Sequence, residues 1–296
     1  MERAVGVIGL GIMGSAMMRN LLKDGFSVVG YDVAPPATRA LEEAGGAAAA
    51  SPRDVAEQAA VVITSLPTGT AFQAVMTGPD GVAAAAGSGQ VVIDTCTLPV
   101  ELKRAAHDAL AQRGKILLDC PVSGTGAQAV RKDLVVFGSG DRAAFERVRP
   151  VLQGISRSQK YLGAFGNGSK MKFVANLLVN IHNTAAAEAL VLGMKAGLAP
   201  QLVYETLQDS AATSRMLQVR GPLMVAGEYD APTATVDLQL KDLAIIGQFA
   251  ADLRCPTPLF TLAAQLYLGA KAQGRGGQDT AAICAVLERM AAVERS

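Results

Sequence analysis

Val5-Gly6-Val7-Ile8-Gly9-Leu10-Gly11-Ile12-Met13-Gly14 is the stretch from which the rest of the 296-residue sequence can be read. An apolar run of strand character enters Gly-x-Gly-x-x-Gly directly, and residues 15–23 continue with helix-compatible side chains. A strand, a glycine turn and a helix in that order give the spacing a mechanism that the bare motif lacks. Gly9 permits the tight turn, Gly11 lets the backbone approach a pyrophosphate, and Gly14 lets helix and strand pack closely, so that phosphates meet the helix N-terminus. Gly9, Leu10, Gly11, Ile12, Met13 and Gly14 therefore form the expected dinucleotide loop.

The next strand-like run, Ser27-Val28-Val29-Gly30-Tyr31, delivers Asp32 at its end. A carboxylate there accepts hydrogen bonds from the adenosine ribose hydroxyls and repels a 2′-phosphate. Val33-Ala34-Pro35-Pro36 follow without an arginine, so the expected cofactor is NAD rather than NADP. Further β-branched runs at 60–65, 90–94, 115–119 and 134–138 alternate with helical stretches. That alternation predicts an α/β fold whose N-terminal part is a Rossmann doubly wound parallel sheet. Strand-like runs stop near residue 162. Helical patterns follow at 169–196, closed by Gly197 and Pro200, and at 200–209, 237–253, 258–272 and 280–293. The expected division is 1–163 for the NAD-binding domain and 164–296 for an all-helical substrate and oligomerisation domain.

Half the residues are hydrophobic, 18% are charged and the formal net charge is +1, which speaks against a nucleic-acid or membrane-surface partner. Met1-Glu2-Arg3 enters the first strand without a basic leader, and every long apolar stretch is broken by Gly, Asn, Lys or Asp before about 20 residues. A cytoplasmic protein is expected. Cys96, Cys120, Cys255 and Cys284 form no Cys-x-x-Cys pair, and His107 and His182 stand alone. Neither a metal site nor a disulfide framework is expected, and each cysteine reads as a small buried side chain.

Three elements carry polar chemistry. Lys172 and Asn176 stand four apart near the start of the 169–196 helix and share a face that Asn180 and Asn183 extend. A polar row on so apolar a helix meets water, a ligand or a polar network. Ser123-Gly124-Thr125-Gly126 follows the 115–119 strand at the carboxyl edge of the sheet, where hydroxyls and consecutive amides can cradle a carboxylate. Asp237 and Lys241 stand at helical spacing, which is also the spacing of a surface ion pair.

With these residues in hand, the chain resembles the β-hydroxyacid dehydrogenases, the family of 3-hydroxyisobutyrate dehydrogenase and L-threonate dehydrogenase. The likeness runs in order through Gly9 to Gly14, Leu66-Pro67-Thr68, Asp94-Thr95-Cys96-Thr97, Asp119-Cys120-Pro121-Val122-Ser123-Gly124, residues 166–176 and Lys241-Asp242-Leu243. The resemblance implies that Lys172 is the acid/base group, that Ser123, Gly124 and Thr125 bind the substrate carboxylate, and that Asn176 positions the hydroxyl. It implies as well that Leu66, Pro67 and Thr97 line the cofactor, that Lys241 reaches the nicotinamide side, and that subunits form a homodimer or homotetramer. Two departures bear on substrate choice. Many members carry two adjacent asparagines after the lysine where this chain has Ala175 and Asn176, and many have glycine at the position of Thr125.

The expected reaction is hydride exchange between NAD and a small β-hydroxy acid such as 3-hydroxyisobutyrate, threonate, glycerate or serine. Lysine suits the proton transfer only with its pKa lowered towards the working pH. The alternatives are an oxidative decarboxylase resembling 6-phosphogluconate dehydrogenase, an imine reductase, or a dinucleotide-binding protein without turnover. The first places a histidine where this chain has Ala175, and the second generally lacks the lysine.

Overall fold

The computed structural model describes residues 4–295; Met1, Glu2 and Arg3, which bear on the expected absence of a leader, and Ser296 lie outside them. The chain divides into two compact units, Met1–Lys172 and Phe173–Ser296. In the first, strands β1 (Ala4–Ile8), β2 (Ser27–Tyr31), β3 (Ala47–Ala48), β4 (Val61–Thr64), β5 (Val91–Asp94) and β6 (Ile116–Asp119) form one parallel sheet in the order β3-β2-β1-β4-β5-β6. Helices α1 (Ile12–Lys23), α2 (Pro35–Glu43), α3 (Pro52–Gln58), α4 (Gly69–Thr77) and α5 (Val100–Ala111) make the crossovers.

Alternate residues of each strand enter different cores. Val5, Val7, Val28, Ile63, Val91, Ile93 and Leu118 pack with Met17, Met18 and Leu21 of α1, whereas Ile8, Val29, Val62, Val92 and Leu117 pack with Val55, Phe72, Met76 and Leu110. Both faces of the sheet are covered, which is why its strands read as continuous apolar runs. Each fully buried Val or Ile in these layers contributes about 1.5–3 kcal/mol. The strand order reverses between β1 and its neighbours β2 and β4, and the crevice outside the carboxyl ends at such a switch point is where open α/β sheets take ligands.

The run at 134–138, expected in the parallel sheet, belongs elsewhere. A second, three-stranded sheet contains β7 (Val122–Ser123), β8 (Val135–Gly138) and β9 (Ser158–Tyr161), with β7 antiparallel to β8. Between β7 and β8 lies only the short α6 (Gly126–Val130), too little chain for the crossover that a parallel pairing needs. An antiparallel Asp119↔Ser139 bridge stitches this sheet to the end of β6, and α7 (Arg142–Ile155) packs beneath it.

Helix α8 spans Asn167–Lys195 and runs into the second unit, followed by α9 (Pro200–Gln208), α10 (Arg215–Ala226), α11 (Val236–Asp252), α12 (Pro258–Ala272) and α13 (Ile283–Met290). Leu190, Ile246, Phe260, Tyr267 and Ile283 are among its buried residues, and Phe173 meets Phe249 edge-on at 5.1 Å. Sequence patterning missed α10, because Pro222 sits inside it and its apolar residues are not confined to one face. Cys96, Cys120 and Cys284 are buried as expected, but Cys255 is exposed, just past the end of α11. Among the described residues α8 is long and apolar enough to cross a membrane, by length and composition only. Its buried asparagines, bonded to protein groups described below, mark it as a core helix.

Candidate active site

The loop after β1 is dictated by contacts within a few residues of it and by the loop after β4. Gly9 adopts φ +88°, and a Cβ there would lie 2.2 Å from the Ser65 carbonyl oxygen. A Cβ on Gly14 would lie 1.8 Å from the Gly9 carbonyl oxygen. Gly11 differs: a Cβ there meets nothing within 4 Å, so no packing contact inside the protein calls for glycine. Gly11 also N-caps α1 without a side-chain hydrogen bond, which leaves first-turn amides to bind an anion. Open space above a glycine and a helix N-terminus without a side-chain cap fit a dinucleotide pyrophosphate. A cavity of about 450 Å³ adjoins the loop, lined by Leu10, Gly11, Ile12, Ser15, Arg19 and Val130 among others.

Asp32 follows β2, and both of its oxygens are held by the backbone: Oδ2 accepts the Leu10 N–H at 2.6 Å and Oδ1 accepts the Ala34 N–H at 2.8 Å. Lone pairs remain on both oxygens for hydroxyl donors. Leu66 and Pro67 follow β4 and Thr97 follows β5. These two loops are tied together, since the Leu66 N–H donates to Cys96 Sγ at 3.0 Å and the Thr95 hydroxyl to the Thr64 carbonyl at 2.7 Å.

Ser123 closes β7, and Gly124 turns the chain at φ +139°, where a Cβ would strike Leu134 Cδ2 at 2.5 Å. Thr125 N-caps α6 in a capping box: its N–H donates to Gln128 Oε1 at 3.0 Å and its hydroxyl accepts the Gln128 N–H at 3.4 Å. The Thr125 N–H is spent on this cap, but its hydroxyl only accepts there, so its O–H stays available for an anion beside Ser123 and the Gly124 amide. The Asn20 side chain donates to the Ala129 carbonyl at 2.8 Å and fastens α6 to α1.

On α8 the polar row is buried: Lys172 is 9% exposed, Asn176 6% and Asn180 0%. Asn176 Nδ2 donates to Asp242 Oδ2 at 2.9 Å, and Asn180 Nδ2 to the Asn176 carbonyl at 2.7 Å. Asn183 is structural, donating to the Tyr267 hydroxyl and the Thr280 carbonyl. Asn180 Oδ1 and Gln239 Nε2 have no hydrogen-bond partner among the described residues. The Asp237–Lys241 pair suggested by spacing does not form. Asp237 binds Lys271 at 2.7 Å, and Lys241 lies 3.1 Å from Asp242.

Sequence reasoning missed Lys103. Its ammonium, 0% exposed, contacts Asp94 Oδ2 and Asp119 Oδ1 at 2.8 Å each and donates to the Cys96 carbonyl at 2.6 Å. Burial alone would lower its pKa, but the Asp119 and Asp94 charges hold it above the ordinary lysine range. The signal was present: Val100, Lys103, Ala106 and Leu110 fall on the buried stripe of α5, and a lysine on such a stripe requires compensation. Asp94 and Asp119 end the adjacent strands β5 and β6 and are paired in register.

Comparison with known proteins matches both parts of the chain. Residues 4–163 match the family described as NAD binding domain of 6-phosphogluconate dehydrogenase, and residues 166–287 that described as NAD-binding of NADP-dependent 3-hydroxyisobutyrate dehydrogenase. The L-threonate dehydrogenase of Cupriavidus necator is 36% identical over 284 residues, 96% of this chain and 95% of that protein. The 2-(hydroxymethyl)glutarate dehydrogenase of Eubacterium barkeri is 32% identical over 298 residues, 100% of this chain and 99% of that one. Among solved structures, 3-hydroxyisobutyrate dehydrogenase from Salmonella typhimurium superposes with a TM-score of 0.88 at 32% identity, covering 96% of this chain and 99% of its own.

Proposed function

The chain belongs to the β-hydroxyacid dehydrogenase family, and from that premise we propose that it exchanges a hydride between NAD and a small β-hydroxy acid, with Lys172 moving the proton. It is an NAD(P)-dependent oxidoreductase of hydroxy acids. The observation that supports the assignment of the base is the burial of Lys172 on a polar row with Asn176, since an amine shielded from bulk water can exchange its proton with substrate rather than with solvent.

When bound, the nicotinamide supplies the acceptor for the hydride leaving the hydroxyl-bearing carbon. Lys172 Nζ takes the hydroxyl proton as that bond breaks; in the opposite direction its ammonium returns a proton to the carbonyl oxygen. Asn176, held by Asp242, orients the hydroxyl. Ser123, Gly124 and Thr125 receive the substrate carboxylate, Thr125 through the O–H that its α6 cap leaves free to donate. Gly9 to Gly14 hold the pyrophosphate, Asp32 the adenosine ribose, Leu66, Pro67 and Thr97 line the cofactor, and Lys241 faces the nicotinamide side. Asp32 supports NAD over NADP because a 2′-phosphate would meet a fixed carboxylate.

The functional division is proposed at 163/164. Exposed apolar residues on α8 (Val174, Leu178, Leu192) and α12 (Leu259, Leu262, Leu268) support a homodimer or homotetramer, which light scattering on the purified protein would measure; the cytoplasm is the proposed location. The reaction is tested by NADH formation, with NADP in parallel, from 3-hydroxyisobutyrate, threonate, glycerate and serine at pH about 9, where a lysine base is favoured. Selective turnover with NAD is expected, and Lys172→Ala is expected to reduce kcat by about 10²–10⁴-fold while NADH still binds. Wild-type turnover by that variant would remove Lys172 from the mechanism.

A further inference from the structure

The first turn of α8 is capped by residues remote in sequence. Asp119, at the end of β6, accepts the Ser169 N–H on Oδ2 at 2.8 Å and the Ser169 hydroxyl on Oδ1 at 2.7 Å. Ser139 Oγ accepts the Gly168 N–H at 2.9 Å and lies 3.2 Å from Asp119 Oδ2. A Cβ on Gly168 would stand 2.2 Å from the Phe137 carbonyl and 2.6 Å from that of Asp119, so the helix begins in direct contact with the backbone of β6 and β8. A carboxylate bound to a first-turn amide also complements the helix dipole. Asp119, Ser139 and Ser169 are 0–1% exposed, as is Lys103, which neutralises one of the two carboxylates in the cluster. Ser169 and Lys172 are three residues apart on one helix and therefore share a face, about one turn from each other.

We propose that Asp119, through Ser169 and with Lys103 as its counter-ion, is the positioning group for Lys172. The cluster sets the height and rotation of the first turn of α8, and with them the place where Lys172 Nζ meets the substrate hydroxyl. Asp119 and Ser169 act through the lysine and exchange no proton with substrate. Misplacing a catalytic group by a fraction of a turn penalises the chemical step more than binding, so the cluster governs kcat and leaves dinucleotide affinity alone. This inference rests on Lys172 being the base.

Ser169→Ala removes one hydroxyl from a buried site and keeps the Ser169 N–H bond to Asp119, so it tests the idea without dismantling the cluster; Asp119→Asn is the stronger variant. Three measurements apply to the full-length protein. Hydrogen exchange without ligand should show the amides of 168–172 exchanging about tenfold faster in Ser169→Ala while the β1 and β4 amides keep their protection. Turnover of the best β-hydroxy acid with NAD should lose about tenfold in kcat, with KM for NAD unchanged and the alkaline rise of kcat displaced along the pH axis. In a Lys172→Ala background, Ser169→Ala should cost nothing further.

Unchanged exchange at 168–172, an unchanged pH profile, or an equal loss of residual turnover in the Lys172→Ala background would each overturn the positioning role. If Lys172→Ala turns over normally, the base assignment itself falls. If it is inactive while Ser169→Ala matches wild type in exchange and pH profile, only the positioning inference falls.

Discussion

The glycine loop after β1 and the first turn of α8 both present a helix N-terminus, and they are held in opposite ways. At the loop, Gly9 and Gly14 are required by contacts with each other and with Ser65, while Gly11 faces open space. At α8, the amides of Gly168 and Ser169 are already satisfied by Ser139 and Asp119. One N-terminus is left open for a diffusible anion. The other is closed by a carboxylate of the protein itself, which turns the same electrostatics into an anchor.

The largest expected effect that sharpens this contrast is on stability. Lys103→Met leaves Asp94 and Asp119 buried without a counter-charge and should cost about 3–5 kcal/mol in urea unfolding at neutral pH. The sign of its pH dependence follows from the raised pKa of Lys103. Its contribution is fully present below the unfolded lysine value of about 10.4 and is lost as pH climbs through the higher folded value. The gap between wild type and Lys103→Met should therefore hold steady through neutral and mildly alkaline solution and shrink only above about pH 10. A gap already closing at pH 8 would mean that the buried ammonium is not what holds the cluster.

The loop should respond less, and unevenly. Gly14→Ala must push against the Gly9 carbonyl and should lose about 1–3 kcal/mol of stability together with dinucleotide affinity. Gly11→Ala meets no protein atom, so its melting temperature should match or slightly exceed that of wild type, while NADH titration reports weaker binding. If Gly11→Ala bound NADH as wild type does, the open space above Gly11 would not be the pyrophosphate site. The smallest effect expected is at Asp32. Asp32→Ser should narrow the preference for NAD over NADP by about tenfold in kcat/KM, the equivalent of about 1.4 kcal/mol, with little change in the pH profile, because the role proposed for this carboxylate is at the ribose and not in the proton transfer.

Much of this was legible in the chain because the signals are local. Gly-x-Gly-x-x-Gly after a strand, Asp32 at the next strand end and the period of apolar runs each occupy a short window, and the sheet follows them with β1, β2, β4, β5 and β6 where they were expected. Legibility failed where partners are distant. The 134–138 run has strand character, but whether it joins the parallel sheet depends on the chain length between β7 and β8. The Asp237–Lys241 spacing is right for an ion pair, yet Lys271 takes Asp237. Thr125 reads only as a turn hydroxyl until its capping box with Gln128 shows that it also starts α6.

What the sequence by itself determined is the class of cofactor loop, the alternation that builds a doubly wound sheet, and the presence of Lys172 and Asn176 on one helix face, because periodicity and turn chemistry act over a few residues. What only the tertiary structure decided is how that face is held: Asp242 on Asn176, and Asp94, Lys103 and Asp119 beneath the first turn of α8. Asp94, Lys103, Asp119 and Ser169 are spread over dozens of residues of chain, and their charges could be buried only once the adjacent ends of β5 and β6 had brought two carboxylates to one ammonium. A buried charge is tolerable only when its partners arrive with it, and that arrival is a property of the folded sheet.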